Sequence, residues 1–182
     1  MTHVNTAAAE GRSQELTTPR SLFLQLHAEF HFDRDVAASR ENALLPAYWS
    51  VDDDALTQDW TGVVFCNPPY SRCDAFVRKA AHEATKGATV VMLVPVRADT
   101  GWWHEVALPR AEIRWIRGRL RFGRPATRSE SRGWTTAPFA SCLLIFRPRR
   151  AGLADVTLDL DEAAAPRPKW NESRPTAREG TR

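Results

Sequence analysis

The run at residues 63–71 constrains the fold most, because a short apolar segment stops abruptly at an amide and two prolines. Its first three residues are β-branched or aromatic, which predicts a buried strand. Pro68 and Pro69 lack the N–H that a sheet ladder requires, so the strand must end before them. Asn67 and Tyr70 are then expected at the carboxyl end of the strand, where open α/β sheets bind ligands.

The same loop carries groups suited to methylation of a planar amine, whose lone pair is delocalised and therefore a poor nucleophile. The side-chain oxygen of Asn67 and the main-chain carbonyl of Pro68 can accept the two N–H bonds of such an amine. That arrangement orients the nitrogen and stabilises positive charge as it develops. Tyr70 offers a face for stacking a base, worth about 1–3 kcal/mol. The alternative is an ordinary strand-ending turn, in which Pro69 and a packed tyrosine have only structural roles.

Hydrophobic periodicity predicts an alternation of helices and strands along the chain. Helices are predicted at residues 19–30, 73–86 and 101–108, and strands at 48–51, 63–65, 89–94, 112–116 and 140–146. The unbroken apolar run of residues 90–94 is typical of a central strand that is buried on both faces. Such alternation predicts an α/β fold with a mostly parallel sheet. The last two strands are joined by a loop rather than a helix, so that pair could be antiparallel.

Small and acidic residues precede the proline-terminated strand and make a candidate ligand loop. Asp35 ends a short predicted strand, and the turn that follows contains Ala37 and Ser39. Small side chains allow main-chain N–H groups to approach a ligand closely, although no G-x-G-x-x-G pattern is present. Further along, the acidic cluster that ends at Asp54 fits either a helix N-terminus or a group that accepts hydrogen bonds from an adenosine.

The start of the first predicted helix is marked by Thr18 and Pro19. Threonine is a favoured N-cap residue, and proline is favoured at the first helical position. We therefore expect Thr18 to cap a helix whose apolar stripe packs on the core.

Residues 110–132 contain eight arginines opposed by two glutamates, a local excess of six positive charges. This pattern fits a phosphate-bearing partner such as nucleic acid, and it fits a plain solvated loop about equally well, so charge alone leaves both interpretations open. The candidate nucleic-acid contacts are Arg117, Arg119, Arg121, Arg124 and Arg128.

The length of 182 residues fits one domain with polar flanks. We expect disordered tails at residues 1–16 and 150–182, with the folded domain at residues 17–149. The three cysteines and five histidines show no ligand spacing, so we expect reduced thiols and no metal. No window is apolar enough for a membrane span, which predicts a soluble cytoplasmic protein without a membrane partner.

Several of these segments, taken in order, resemble the phage-type DNA N6-adenine methyltransferases of the Dam superfamily. The match covers roughly residues 17–148 and includes Asn67-Pro68-Pro69-Tyr70, Asp35 with its small-residue turn, and the arginine-rich segment 116–123. The resemblance implies a compact Rossmann-like methyltransferase that binds S-adenosyl-L-methionine. Because the glycine-rich loop is replaced by small residues and Asp35 lies close to Asn67 in sequence, a shortened cofactor half is expected.

The resemblance also implies a role for each candidate residue. Thr18 and Pro19 would lie beside the methionine end of the cofactor, and Asp54 near its adenosine. Asp35, Ala37 and Ser39 would line the cofactor site. Asn67, Pro68, Pro69 and Tyr70 would hold an adenine that has left a DNA duplex, because its N6 is unreachable inside the stack.

Two alternatives remain open from the sequence. The same Asn-Pro-Pro-Tyr motif is shared by amino-methyltransferases that act on RNA or on protein glutamine. A non-catalytic DNA-binding relative is the second alternative. In either case the cell would be a bacterium or a phage-infected host.

Overall fold

A computed structural model describes residues 17–123, 134–148 and 156–158. This part of the chain contains helices and strands with the following bounds. The helices are α1 (Arg20–Phe30), α2 (Cys73–Thr85) and α3 (Leu108–Arg110). The strands are β1 (Arg34–Asp35), β2 (Val63–Cys66), β3 (Thr89–Pro95), β4 (Glu112–Ile116), β5 (Arg121–Gly123), β6 (Trp134–Thr136), β7 (Ser141–Phe146) and β8 (Val156–Leu158). A 3-10 turn (Tyr70–Arg72) leads into α2, and a π-helical turn (Trp103–Ala107) leads into α3.

The main sheet is mixed, in the order β1-β2-β3-β7-β4-β8, and β5 pairs with β6 in a separate antiparallel ribbon. β1, β2 and β3 are parallel neighbours, as are β4 and β8, but β7 is antiparallel to both β3 and β4. The prediction of a mostly parallel sheet is therefore wrong, whereas the antiparallel relation of β4 and β7 is as expected. A parallel return requires a crossover, usually helical, and the described chain between β4 and β7 holds β5 and β6 instead.

The core lies on both faces of β3, as its continuous apolar run predicts. Val90, Met92 and Val94 belong to one cluster, which contains the buried face of α2. Val91 and Leu93 belong to the other, which contains the buried face of α1. Because successive strand residues point to opposite faces, the two helices cover opposite sides of the sheet. The sheet is thus covered by packed side chains on both faces.

The outer edge of β1 is covered by residues 47–49 rather than by a further full strand. The main-chain N–H of Asp35 donates to the carbonyl of Ala47 at 3.0 Å, and that of Trp49 donates to the carbonyl of Asp35 at 2.9 Å. The predicted strand at residues 48–51 reduces to a single bridge at Tyr48, because residues 51–57 form turns.

The segment expected to be a disordered C-terminal tail contributes a strand. Val156–Leu158, which lies within that segment, pairs in parallel with β4. A three-residue strand carries little sequence pattern, and only its pairing with β4 identifies it. The expected N-terminal tail lies outside the described residues.

Candidate active site

A cavity of about 280 Å³ opens at the carboxyl ends of β1 and β2. Six of the residues singled out from the sequence contribute to its lining. They are Thr18, Asp35, Ala37, Asp54, Asn67 and Pro69. The fold thus brings together residues from four separate stretches of the chain. The remaining four candidates, Pro19, Ser39, Pro68 and Tyr70, flank this lining in sequence but do not contribute to it.

Asp35 is the last residue of β1 and is only 4% exposed. Burial raises the pKa of its carboxyl group to about 6, although hydrogen bonds from the main-chain N–H groups of Ala37 and Leu44 act in the opposite direction. The Ala37 bond is 3.3 Å long. A buried carboxylate held mainly by main-chain donors is suited to receive a cationic group of a ligand.

The small-residue turn after β1 is held by main-chain and amide contacts. The N–H of Ala38 donates to the carbonyl of Trp49 at 3.0 Å, and the N–H of Ser39 donates to Asn42 Oδ1 at 2.6 Å. Ser39 is not a lining residue, and its buried Oγ has no hydrogen-bond partner among the described residues. In the predicted cofactor turn, Ala37 therefore lines the cavity and Ser39 does not.

Asp53 and Asp54, two residues of the acidic cluster, make different contacts. Asp53 accepts hydrogen bonds from the N–H and the hydroxyl of Ser50 at 2.8 and 2.9 Å, which lower its pKa. Asp54 lines the cavity, has a positive φ of 42°, and lies 3.9 Å from Arg72. The interpretation of Asp54 as a ligand-facing acid fits this placement better than that of a helix N-terminus, because no helix starts there.

Asn67 follows β2 directly, and its Nδ2 donates to Thr18 Oγ1 at 3.0 Å. The sequence predicts that Thr18 caps α1, but the N-cap position is Pro19 and no side chain caps the helix. That prediction is wrong because the first helical hydrogen bond runs from the N–H of Phe23 to the carbonyl of Pro19 at 3.0 Å, which makes Pro19 the N-cap; the buried hydroxyl of Thr18 accepts from Asn67. Pro68 is buried, and the 3-10 turn begins at Tyr70.

Tyr70 is half-buried, which raises the pKa of its phenol to about 12 and keeps it neutral near pH 7. Its ring meets that of Phe139 edge-on. Phe139 precedes β7 and is not identified by the sequence, because no motif surrounds it. Asn42, Ser50 and Arg72 are further lining residues that the sequence does not reveal.

The arginine-rich segment is not uniformly available to a partner. Arg114 pairs with Glu29 at 2.7 Å and with Glu112 at 2.9 Å, within the protein. Arg119 donates to the carbonyls of Ala137, at 3.2 Å, and of Pro138. Arg117 is exposed and Arg121 half-buried. Arg124 and Arg128 lie outside the described residues.

The described residues show neither a metal centre nor a membrane span. No three histidine, cysteine, aspartate or glutamate side chains in this part of the chain are grouped to hold a metal ion. No described helix has the length and apolar character needed to cross a membrane.

Residues 5–164 match the family model for DNA N-6-adenine-methyltransferase (Dam). The DNA N-6-adenine-methyltransferase of Escherichia phage T1 is 36% identical over 107 residues, covering 57% of this chain and 45% of the phage protein. The protein of the same name from Haemophilus phage HP1 is 30% identical over 96 residues, covering 52% of this chain and 56% of that protein. The matches thus span about half of each relative, and the family model spans most of this chain. The chain therefore belongs to the DNA N-6-adenine-methyltransferase (Dam) family.

Proposed function

We propose that this protein transfers a methyl group from S-adenosyl-L-methionine to N6 of adenine in double-stranded DNA. The observation that carries the proposal is the shared cavity, to which Asp35 and Asn67 both contribute at the ends of adjacent parallel strands. The two phage relatives are named for DNA adenine methylation, which supports the same substrate. The reaction would take place in the cytoplasm of a bacterium or phage-infected host.

The lining residues fit the proposed cofactor. Among the described residues, main-chain N–H groups rather than a side-chain cation stabilise the buried Asp35 carboxylate. A ligand ammonium would satisfy that carboxylate. Ala37 and Asp54 complete the proposed contacts, with Asp54 toward the adenosine; Thr18, which also lines the cavity, would act beside them through its bond to Asn67, and Pro19 and Ser39 would support them from outside the lining. When bound, S-adenosyl-L-methionine supplies an electrophilic methyl group.

The chain's own residues would hold and polarise the target amine. Asn67 Oδ1 and the carbonyl of Pro68 would accept the two N–H bonds of adenine N6, with Pro69 fixing the loop. These contacts favour a pyramidal geometry at N6, in which the lone pair is less delocalised into the ring. They also stabilise the positive charge that develops on nitrogen. Tyr70 would stack on the base after it leaves the duplex. The proposed catalytic unit is thus the whole Asn67-Pro68-Pro69-Tyr70 loop.

DNA would be held by the arginine-rich segment, whose candidate contacts from the sequence are Arg117, Arg119, Arg121, Arg124 and Arg128. The exposed Arg117 and the half-buried Arg121 are the described candidates for phosphate contacts. The catalytic domain is proposed at residues 17–149, and β8 adds an edge strand to its sheet from beyond that range. A compact Rossmann-like fold with a shortened cofactor half is supported by β1, whose outer edge is bridged at Tyr48.

Methyl transfer can be tested directly with tritiated S-adenosyl-L-methionine and unmethylated duplex DNA that is digested to nucleosides afterwards. Label is expected in N6-methyldeoxyadenosine. A duplex with deoxyinosine in place of deoxyadenosine is the matched control, because it lacks the amine. Binding of the cofactor without label in DNA would contradict the proposal. Label that appears only in RNA or in protein glutamine would favour the alternative amino-methyltransferases.

A further inference from the structure

Thr18 and Asn67 are joined by a side-chain hydrogen bond between residues 49 positions apart. Asn67 Nδ2 donates to Thr18 Oγ1 at 3.0 Å. Thr18 is only 6% exposed, so little water competes for its hydroxyl. The contact connects the start of α1, on one face of the sheet, to the loop that follows β2.

The contact determines which end of the Asn67 amide lies toward Thr18. An asparagine amide has a donating nitrogen and an accepting oxygen on opposite sides. Its terminal torsion is broad, so the two ends exchange readily unless a partner holds one of them. Recognition of a target amine requires the oxygen end, since the amine itself donates.

We propose that Thr18 is a positioning residue that sets the Asn67 amide for the target amine by accepting a hydrogen bond from its nitrogen. The role rests on the proposed function for the reaction it serves. It differs from a cofactor contact, because it acts through Asn67 and not on the methyl donor. It also accounts for the use of a buried threonine hydroxyl that does not cap α1.

The substitution Thr18→Val removes the hydroxyl while keeping the branched shape, and Thr18→Ser keeps the hydroxyl. Loss of one neutral hydrogen bond is expected to lower kcat about 3- to 10-fold in Thr18→Val. The dissociation constant for S-adenosyl-L-methionine should stay within about twofold of wild type, because the cofactor's charged contact at Asp35 is retained. Thr18→Ser should restore kcat. A weakened cofactor affinity with unchanged kcat would overturn the positioning role.

A second readout needs neither cofactor nor turnover. In ¹⁵N NMR spectra of the full chain, the Asn67 side-chain amide pair is assigned by its disappearance in Asn67→Asp. We expect slow hydrogen exchange of that pair in wild type and Thr18→Ser, and faster exchange in Thr18→Val. Thr18→Ala also lacks the hydroxyl and adds no apolar bulk, so it replaces Thr18→Val should the valine disturb folding.

The two readouts separate this inference from the proposed function. An amide pair that exchanges equally in all variants would overturn the Thr18 contact, whatever reaction the protein catalyses. A wild-type protein that transfers no methyl group to DNA would contradict the proposed function, while the exchange rates would still decide the contact.

Discussion

The ring of Phe139 meets the ring of Tyr70 edge-on, with 5.8 Å between their centroids and 64° between their planes. Such aromatic pairs contribute about 0.5–1.5 kcal/mol beyond the area they bury. Phe139 thus restrains the ring that we propose to stack on the target base, although it lies far from the motif in sequence.

Replacement of Phe139 by alanine should therefore weaken capture of the base. We expect kcat/KM for DNA to fall roughly 2- to 10-fold, corresponding to loss of the aromatic pair. Affinity for S-adenosyl-L-methionine should not change, because Phe139 does not line the cavity. Leu24→Ala, at an exposed apolar residue of α1, is the matched control. Steady-state kinetics with varied DNA would show the difference, and equal values for the two variants would contradict it.

Arg119 and Arg121 should respond differently to substitution, although the sequence treats them alike. Arg119 donates to the carbonyls of Ala137 and Pro138, next to Phe139. Arg119→Leu is expected to lower kcat/KM for DNA through that loop, with little change in the salt dependence of DNA affinity. Arg121→Gln should reduce the slope of log affinity against log salt by about 0.9, as for one phosphate contact. Equal slope changes in both variants, measured by fluorescence anisotropy, would contradict this separation.

Local patterns predict those parts of the fold in which a few adjacent residues determine the outcome. The β-branched run of β3 and the apolar stripe of α2 need no distant partner to be recognised. The candidate lining residues are also found locally, because Asp35 and Asn67 each follow a predicted strand. Neighbouring parallel strands then bring their carboxyl ends together.

The remaining features depend on contacts between distant residues. The direction of β7 is determined by its pairing with β3 and β4, so no local pattern reveals that the sheet is mixed. Thr18 has the residue type of a helix cap, and only the tertiary structure shows that Asn67 takes its hydroxyl. Phe139 belongs to no sequence motif. It precedes β7, and its contact with Tyr70 depends on the position of β7 between β3 and β4.

The affinity for S-adenosyl-L-methionine should depend on pH through Asp35. Burial raises the pKa of this carboxyl group to about 6, so it is protonated at lower pH and ionised at higher pH. If it holds the cofactor ammonium, affinity should rise as pH increases from about 5 to 7. Asp35→Asn should bind more weakly and lose this dependence. Isothermal titration calorimetry across the range would test this, and a wild-type affinity that is flat with pH would contradict it.

The raised pKa of Asp35 should also affect folding stability, and in the opposite pH direction from cofactor affinity. The folded state holds a proton on Asp35 over a range in which the unfolded chain, with the usual value of 3.8, has released it. The contribution of Asp35 to stability should therefore decline as pH rises from about 4 to 6. In Asp35→Asn, the unfolding free energy measured by urea titration should no longer show this decline with pH. Together with the binding experiment, this measurement separates the cost of burying the Asp35 carboxylate from its contribution to cofactor affinity.

Glu83 should stabilise the fold at neutral pH and lose this effect on acidification, which is the opposite of the behaviour expected for Asp35. It is fully buried in α2 and accepts from Lys79 at 2.8 Å, Lys86 at 3.1 Å and the N–H of Trp60 at 3.2 Å. Burial alone would raise its pKa, but these hydrogen bonds and charges together lower it. Its contribution should be present above the usual value of 4.5 and should be lost as pH falls below it.

Glu83→Gln is accordingly expected to lower the unfolding free energy at pH 7 by about 1–3 kcal/mol, and by less near pH 4. The control is Glu105→Gln, whose ion pair with Arg78 is exposed to solvent and should contribute little to stability. Urea unfolding at both pH values would measure these differences. A Glu83→Gln effect that grows on acidification would contradict the assignment.

Gly62 immediately precedes β2 and has a φ of +69°, and a Cβ at this position would clash with Asp33 Oδ2. That oxygen accepts a hydrogen bond from the N–H of Val63, the first residue of the strand that leads to Asn67.

Gly118 is a matched control for Gly62. It has a similar φ of +82°, but a Cβ there would meet no atom within 4 Å, so a substitution at Gly118 measures the conformational cost alone. We expect Gly118→Ala to cost about 1–2 kcal/mol, and Gly62→Ala at least about 1 kcal/mol more, because Val63 loses its acceptor. Only Gly62→Ala should also lower kcat, since the displaced strand carries Asn67. Equal losses of stability and activity in the two variants would show that the contact with Asp33 has no influence on the site.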